Sequence, residues 1–328
     1  MRIRPSVLVS LALLSFLFIG SFHAQTGTSP QPTLYRLSPK SSFEEGCFPP
    51  CACLVQWNDG LMGTFLMTPA APDPLFQVFE VTEVNWVVPG LGYRVTGKGT
   101  YRIGGEFARM HQLQLDLKVA DREVQHYDSG LIAGGAEFPA IVLSISMNNM
   151  ICHDTVFKLE AKPVPATEIA PFVLRGSTYQ EGCFGPCLCV VVSTPTDGRF
   201  GLLPLNENES EADFAAVDIR WLVRQSSSTG TTTVKTSVTG YGIYRVFKSL
   251  GRQRMILDLI ENGRGPTRFD SGDVPGGADR KRVDVNVAAN GFACFDRVYS
   301  IHAKRRDRTT ALLSPTPDPE PTPGEPLP

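Results

Sequence analysis

The chain has 328 residues, 42% of them hydrophobic and 20% charged, and a formal net charge of −2. That is the composition of an ordinary soluble protein. So even a charge balance gives no electrostatic reason to bind nucleic acid.

Residues 1–24 read as a secretory signal peptide. Arg2 and Arg4 precede an apolar run over 6–19, which is shorter than the roughly 20 residues a spanning helix needs. Cleavage after Ala24 would remove two positive charges and take the net charge from −2 to −4. A short disordered segment, 25–33, is expected next. No later stretch is apolar enough for a transmembrane helix, so the expected location is secreted, periplasmic or cell-envelope.

The stretch EGCFPPCAC at 45–53 is written again as EGCFGPCLC at 181–189, with seven of nine positions identical. Other echoes keep the same order. EVNWVV around Trp86 returns as DIRWLV around Trp221, and VTGKGTYRI (95–103) returns as VTGYGIYRV (238–246). LQLDLKV (113–119) returns as MILDLIE (255–261), YDSG (127–130) as FDSG (269–272), and CHDTVFKL at Cys152 as CFDRVYSI at Cys294. The offset is 136 at the clusters, 135 at the tryptophans and 142 or 143 from the VTG motif onward. The extra residues fall in QSSSTGTTTVKT (225–236), which reads as a longer loop. This pattern predicts a tandem repeat of two homologous domains. Copy 1 spans 34–162 and copy 2 spans 172–304, joined by a stiff linker at 163–171 and followed by a proline-rich disordered tail at 305–328.

Each copy reads as all-β. Strands are predicted near 34–37, 52–57, 61–68, 76–88, 92–103, 109–119, 122–128, 139–147 and 154–161. Leu113, Leu115, Leu117 and Val119 share one face, and Val283, Val285 and Val287 keep the phase of Ile141, Leu143 and Ile145. Short turns such as NDG at 58–60 join successive strands into an antiparallel meander. Such a meander closes as an up-and-down barrel or, alternatively, packs as a β-sandwich. Gly97 and Gly99, repeated as Gly240 and Gly242, favour the barrel: they fit a coiled strand passing close under a large side chain.

Copy 1 holds Cys47, Cys51, Cys53 and Cys152, and copy 2 holds Cys183, Cys187, Cys189 and Cys294. An even count per copy in a secreted chain predicts two disulfides within each domain. Cys51 and Cys53 are separated by one residue, as are Cys187 and Cys189, and a bridge between such neighbours would be badly strained. That leaves one local staple and one long bridge per domain, with the pairing otherwise open. A zinc site is the alternative, but C-x3-C-x-C is not ribbon or finger spacing. No metal and no cofactor is expected.

Asp128-Ser129-Gly130 and Asp270-Ser271-Gly272 occur once per copy. They resemble the hydrophobic-Asp-Ser/Thr-Gly motif of pepsin-type aspartic proteases, in which two lobes bring two aspartates together to share a proton. In that family the motif lies early in its lobe, whereas here only about 34 residues follow Asp128 in its copy. The other reading of Asp-Ser-Gly is a turn. Neither His126 nor His153 is a histidine in the second copy, and no G-x-S-x-G elbow or phosphate loop is present. Asp154 with Asp296, and Asp116 with Asp258, read as solvent-facing carboxylates with calcium or sugar binding as the sharper alternative.

These features lead to a secreted, non-enzymatic binding or structural protein. A polysaccharide or surface polymer is the expected partner, through avidity of two equivalent domains. The alternative is a barrel carrying a small apolar ligand, and the third reading is a hydrolase using Asp128 and Asp270.

Overall fold

The computed structural model describes residues 31–71, 73–226 and 233–306. The signal segment, residues 25–30 of the segment after it, the centre of the long loop at 227–232 and the tail from 307 onward lie outside the described residues.

The first sheet contains β1 (Thr33–Leu37), β2 (Ser42–Phe48), β3 (Trp57–Gly60), β4 (Met62–Pro69), β5 (Phe76–Val88) and β6 (Tyr93–Gly104). It continues through β7 (Met110–Val119), β8 (Gln125–Asp128), β9 (Ile132–Ala133), β10 (Ile141–Ser146) and β11 (Cys152–Pro163). β1 and β2 both pair with β11, as two halves of one stave. β3 and β4 form the next, β3 against β2 and β4 against β1. From β4 the antiparallel order runs β5, β6, β7, β8, β10, β11, and β11 returns to β1. The sheet is therefore a closed up-and-down barrel.

The second sheet repeats this plan. Its strands are β12 (Ala170–Leu174), β13 (Ser177–Phe184), β14 (Val192–Glu207), β15 (Glu211–Ser226) and β16 (Thr233–Phe247). They are followed by β17 (Arg252–Glu261), β18 (Arg264–Asp270), β19 (Val274–Pro275), β20 (Arg282–Ala288) and β21 (Cys294–Arg305). β12 and β13 both pair with β14 on one side and β21 on the other, which closes the second barrel.

The chain departs from the sequence reading at the cysteine cluster. A strand was expected at 52–57, but Cys51–Gln56 is loop, and the strand lies before it at Ser42–Phe48. Pro49 and Pro50 interrupt the ladder, and a disulfide folds the chain back at Cys53. Glu44 and Gly46 had masked the alternation of β2.

The middle of each barrel is filled by large aromatic side chains. Trp86 sits against Phe65 at 6.3 Å and Phe157 at 5.6 Å; Trp221 repeats this with Phe200 at 6.3 Å and Tyr299 at 5.4 Å. Tyr35 stacks on Phe65, and Phe172 on Phe200. These rings fill the middle of each barrel with side chains rather than a lumen. The paired glycines make the curvature possible. A Cβ on Gly97 would overlap the carbonyl oxygen of Asp116, and one on Gly99 that of Gln114; Gly240 and Gly242 meet Asp258 and Ile256 in the same way. The close approach is mainly to the neighbouring strand's backbone, with Leu117 and Leu257 beside it.

The described residues form one compact unit. Outward positions of β5, β6, β16 and β17 are buried where the barrels meet. Asn85 donates from Nδ2 to the Gly242 carbonyl at 2.8 Å, and Arg94 donates to Asn85 Oδ1 at 3.1 Å. Arg94 also forms an ion pair with Asp258 at 2.8 Å, both side chains 8% exposed. A smaller apolar seam joins Leu34 and Val164 to Leu203, Ala215 and Val217.

Candidate functional site

All eight cysteines are paired. Cys47 bridges Cys53 and Cys51 bridges Cys152; Cys183 bridges Cys189 and Cys187 bridges Cys294. Each barrel has one local staple and one long bridge. The long bridge lies beside the pairing of β2 with β11, or of β13 with β21, where the barrel closes. Leu188 inside the second stapled loop, and Leu54 just after the first, are fully exposed.

The two Asp-Ser-Gly motifs are turns sewn to a neighbouring strand. Asp128 accepts hydrogen bonds from Gln112 at 2.8 Å, Gln114 at 2.9 Å and the Gly130 N–H at 2.7 Å. Asp270 accepts from Arg254 at 2.6 Å and the Gly272 N–H at 2.8 Å. Ser129 and Ser271 accept from the backbone N–H of Leu113 and Met255. Burial pushes both carboxyls up, but these hydrogen bonds, with Arg254 beside Asp270, outweigh it and hold both below the usual carboxylate value. Each aspartate is therefore ionised inside its own turn, and no hydrogen bond or ion pair joins them among the described residues.

Three of the four other repeated aspartates differ from the expectation of solvent-facing carboxylates. Asp154 is fully buried and accepts from the N–H groups of Met147, Asn148, Met150 and Thr155; Asp296 holds the equivalent turn through Asn290, Phe292 and Arg297. Asp258 is not solvent-facing, because the first barrel covers it. Asp116 is exposed as expected and pairs with His126 at 2.8 Å. Among the described residues, no three His, Cys, Asp or Glu side chains gather as a metal site.

The repeats part company at one end of the barrel, opposite the disulfides. In the first barrel, Phe138 lies over Phe79 at 5.4 Å and Tyr101 at 6.4 Å and plugs the space above them, leaving a cavity of about 470 Å³ to one side, beside Phe76, Ile103 and Arg109. Their counterparts Phe214 and Tyr244 stand 6.0 Å apart in the second barrel. The counterpart of Phe138 is Arg280. The segment Phe138-Pro139-Ala140 has become Arg280-Lys281-Arg282. Arg280 turns away to Glu207, which also holds Lys248 at 2.9 Å. These two cations keep the Glu207 carboxyl down at about 2, so it stays ionised at physiological pH.

The opened mouth is a cavity of about 740 Å³. Its floor is formed by Phe172, Leu202, Phe214, Tyr244, Val246 and Val283. Its rim carries Arg280, Lys281, Arg282, Lys304, Arg305 and Arg306 against only Glu168 and Glu207. The floor's polar groups are satisfied within the barrel. The Tyr244 hydroxyl donates to Gln253 at 2.7 Å, and Gln253 donates to the carbonyls of Pro275 and Asp284. In the first barrel His111 stands where Gln253 does, 3.4 Å from the Tyr101 hydroxyl.

Of these mouth residues, sequence reasoning singles out only the basic run that begins Lys304-Arg305-Arg306, read as a solvated end beside the tail with an anionic-surface contact as the sharper alternative. The signal was present as the exchange of Phe-Pro-Ala for Arg-Lys-Arg at the 142-residue offset. Its meaning needed the knowledge that this segment lies across a barrel end.

No family model matches the chain, and no curated protein matches it. Among solved structures, a "putative outer membrane protein" from Bacteroides fragilis aligns over 84% of this chain and 97% of its own, with 8% identity and a TM-score of 0.23. That likeness carries no argument about fold or function.

Proposed function

We propose that the protein is a non-enzymatic binding protein working outside the cytoplasm, with the open mouth of the second barrel as its ligand site. The observation that carries this reading is the replacement of the Phe138 plug by Arg280, which leaves an apolar floor under a cationic rim. The volume lies within the range of ordinary ligand pockets, about 300–1,000 Å³. Complete pairing of the cysteines supports an oxidising compartment. The absence of a catalytic role rests on Asp128 and Asp270, whose carboxylates are each used up in a separate turn.

The partner is anionic. A polysaccharide or surface polymer remains one class, provided it is acidic. Avidity from two equivalent sites does not support it, since the two mouths differ. A ligand threaded along the barrel axis, as a carrier would hold it, has no room beside the tryptophan-centred cores.

The test compares the full chain with a variant in which Arg280→Phe, Lys281→Pro and Arg282→Ala restore the plug. Both are assayed for retention on polygalacturonate and neutral dextran and for binding of small organic anions. Binding of an acidic ligand that the plugged variant loses, with unchanged thermal stability, is the expected result. Equal binding by both proteins would place the site elsewhere.

A further inference from the structure

We infer, resting on the reading of the second mouth as the ligand site, that its ligand is an organic anion built on a flat apolar ring. An aryl carboxylate or sulfonate fits this description. The ring would take the place that Phe138 fills in the first barrel, and the charge would meet the lysines of the rim.

The first barrel supplies the template for the ring. Phe79 and Tyr101, 6.1 Å apart, carry a third aromatic ring against both of them, and its plane lies 10° from that of Tyr101. Phe214 and Tyr244 have the same chain positions and a similar separation, 6.0 Å, but no third ring packs on the two of them among the described residues. Offset aromatic packing of this kind contributes beyond area burial alone. The chain has filled one of the two seats with its own side chain and withdrawn that side chain from the other.

The rim supplies the charge. Glu168 is occupied by Arg36 at 2.7 Å, and Glu207 by Arg280 and Lys248. Arg282 has only Asp279, at 3.9 Å. Lys281, Lys304, Arg305 and Arg306 have no ion-pair partner among the described residues, and all four line the cavity. A cavity whose carboxylates are already neutralised and whose lysines are not attracts an anion.

The floor decides between ring types. Tyr244 and Gln253 spend their polar atoms on one another and on backbone carbonyls, so the floor presents apolar faces and few hydrogen-bonding groups. A sugar ring would leave its hydroxyls unpaired there, whereas an aromatic ring leaves nothing unpaired.

The experiment titrates the full chain, by calorimetry, with 2-naphthoate, 2-naphthalenemethanol, cyclohexanecarboxylate, decanoate and polygalacturonate. The expected order puts 2-naphthoate first. Its neutral alcohol should bind about tenfold more weakly, in line with the loss of charge-assisted contacts. Lys281→Gln with Lys304→Gln should weaken 2-naphthoate by a similar factor without changing the melting temperature, and the plugged triple variant should abolish binding. Naphthoate and its alcohol binding equally, or decanoate binding better than both, would overturn the ring-anion assignment. Binding of polygalacturonate alone, lost on plugging, would reject the ligand class while keeping the mouth as the site. Binding of none of them would count against both.

Discussion

Phe138 stacks on Tyr101 with ring planes 10° apart and centroids 6.4 Å apart, while Arg280, its counterpart in the other repeat, leaves Tyr244 and bonds to Glu207. At this shared position one barrel end is capped by a phenylalanine ring and the other carries an arginine that turns outward. Phe138→Ala should cost about 2 kcal/mol, less than a fully buried phenylalanine because Phe138 is half-buried. It should also open a second mouth. Denaturant unfolding measures the first effect, and a second binding event for the neutral 2-naphthalenemethanol measures the other, because Pro139, Ala140, Pro163 and Val164 stand there in place of Lys281, Arg282, Arg305 and Arg306.

The two disulfides of each barrel should contribute unequally. The long bridge Cys51–Cys152 spans 101 residues and the staple Cys47–Cys53 spans six. Loop entropy assigns up to about 4–5 kcal/mol to the first and about 2 kcal/mol to the second. Replacing each pair by serine and comparing unfolding midpoints should give that order. Equal losses would mean that the long bridge does not act through chain entropy.

Between the barrels, Asp258 neutralises the buried Arg94 guanidinium, which burial otherwise pushes toward deprotonation. Asp258→Ala leaves that charge unpaired and should cost about 3–5 kcal/mol. Adding Arg94→Met should recover most of the loss. A single mutant as stable as the wild type would show that water reaches Arg94 and that the barrels do not press together there.

Glu83 and Asp218 sit at equivalent bulges, with φ near 51° and 48°. Burial, reinforced by Asp218, pushes the Glu83 carboxyl up to about 7. Its folded value exceeds its ordinary one, so the stability it contributes is complete below about 4.5 and is lost as pH rises through 7. Melting curves across pH 4–8 should show this fall, and Glu83→Gln should remove it.

His111 should act in the opposite sense. It is 2% exposed, and burial lowers its pKa. The neutral ring is favoured, so stability should fall as pH drops below about 6.5. His111→Gln imports the residue that the second barrel already uses at Gln253, and should flatten that limb of the profile while preserving the bond to Tyr101.

Much of this architecture was legible in the residues. The period-two phase of Leu113–Val119 and the recurrence of the cysteine clusters reflect local physics, and both carry through to the barrels and their bridges. The strand Ser42–Phe48 was hidden because Glu44 and Gly46 break its alternation. Asp258 was misread because phase along one strand says only which way a side chain points, and the covering surface belongs to another barrel. Asp154 was misread for a related reason: the N–H groups that surround it come from a turn whose shape no pattern announces. The mouth needed both kinds of knowledge at once, the repeat offset and the barrel end.

The central claim is that one mouth binds and the other is plugged. Hydrogen exchange of the full chain, with and without saturating 2-naphthoate, tests it most directly. The account predicts added protection in 202–207, 277–283 and 303–306, and none in 73–79 or 135–141. Equal protection at both barrel ends, or protection confined to the stapled loops around Leu54 and Leu188, would contradict it.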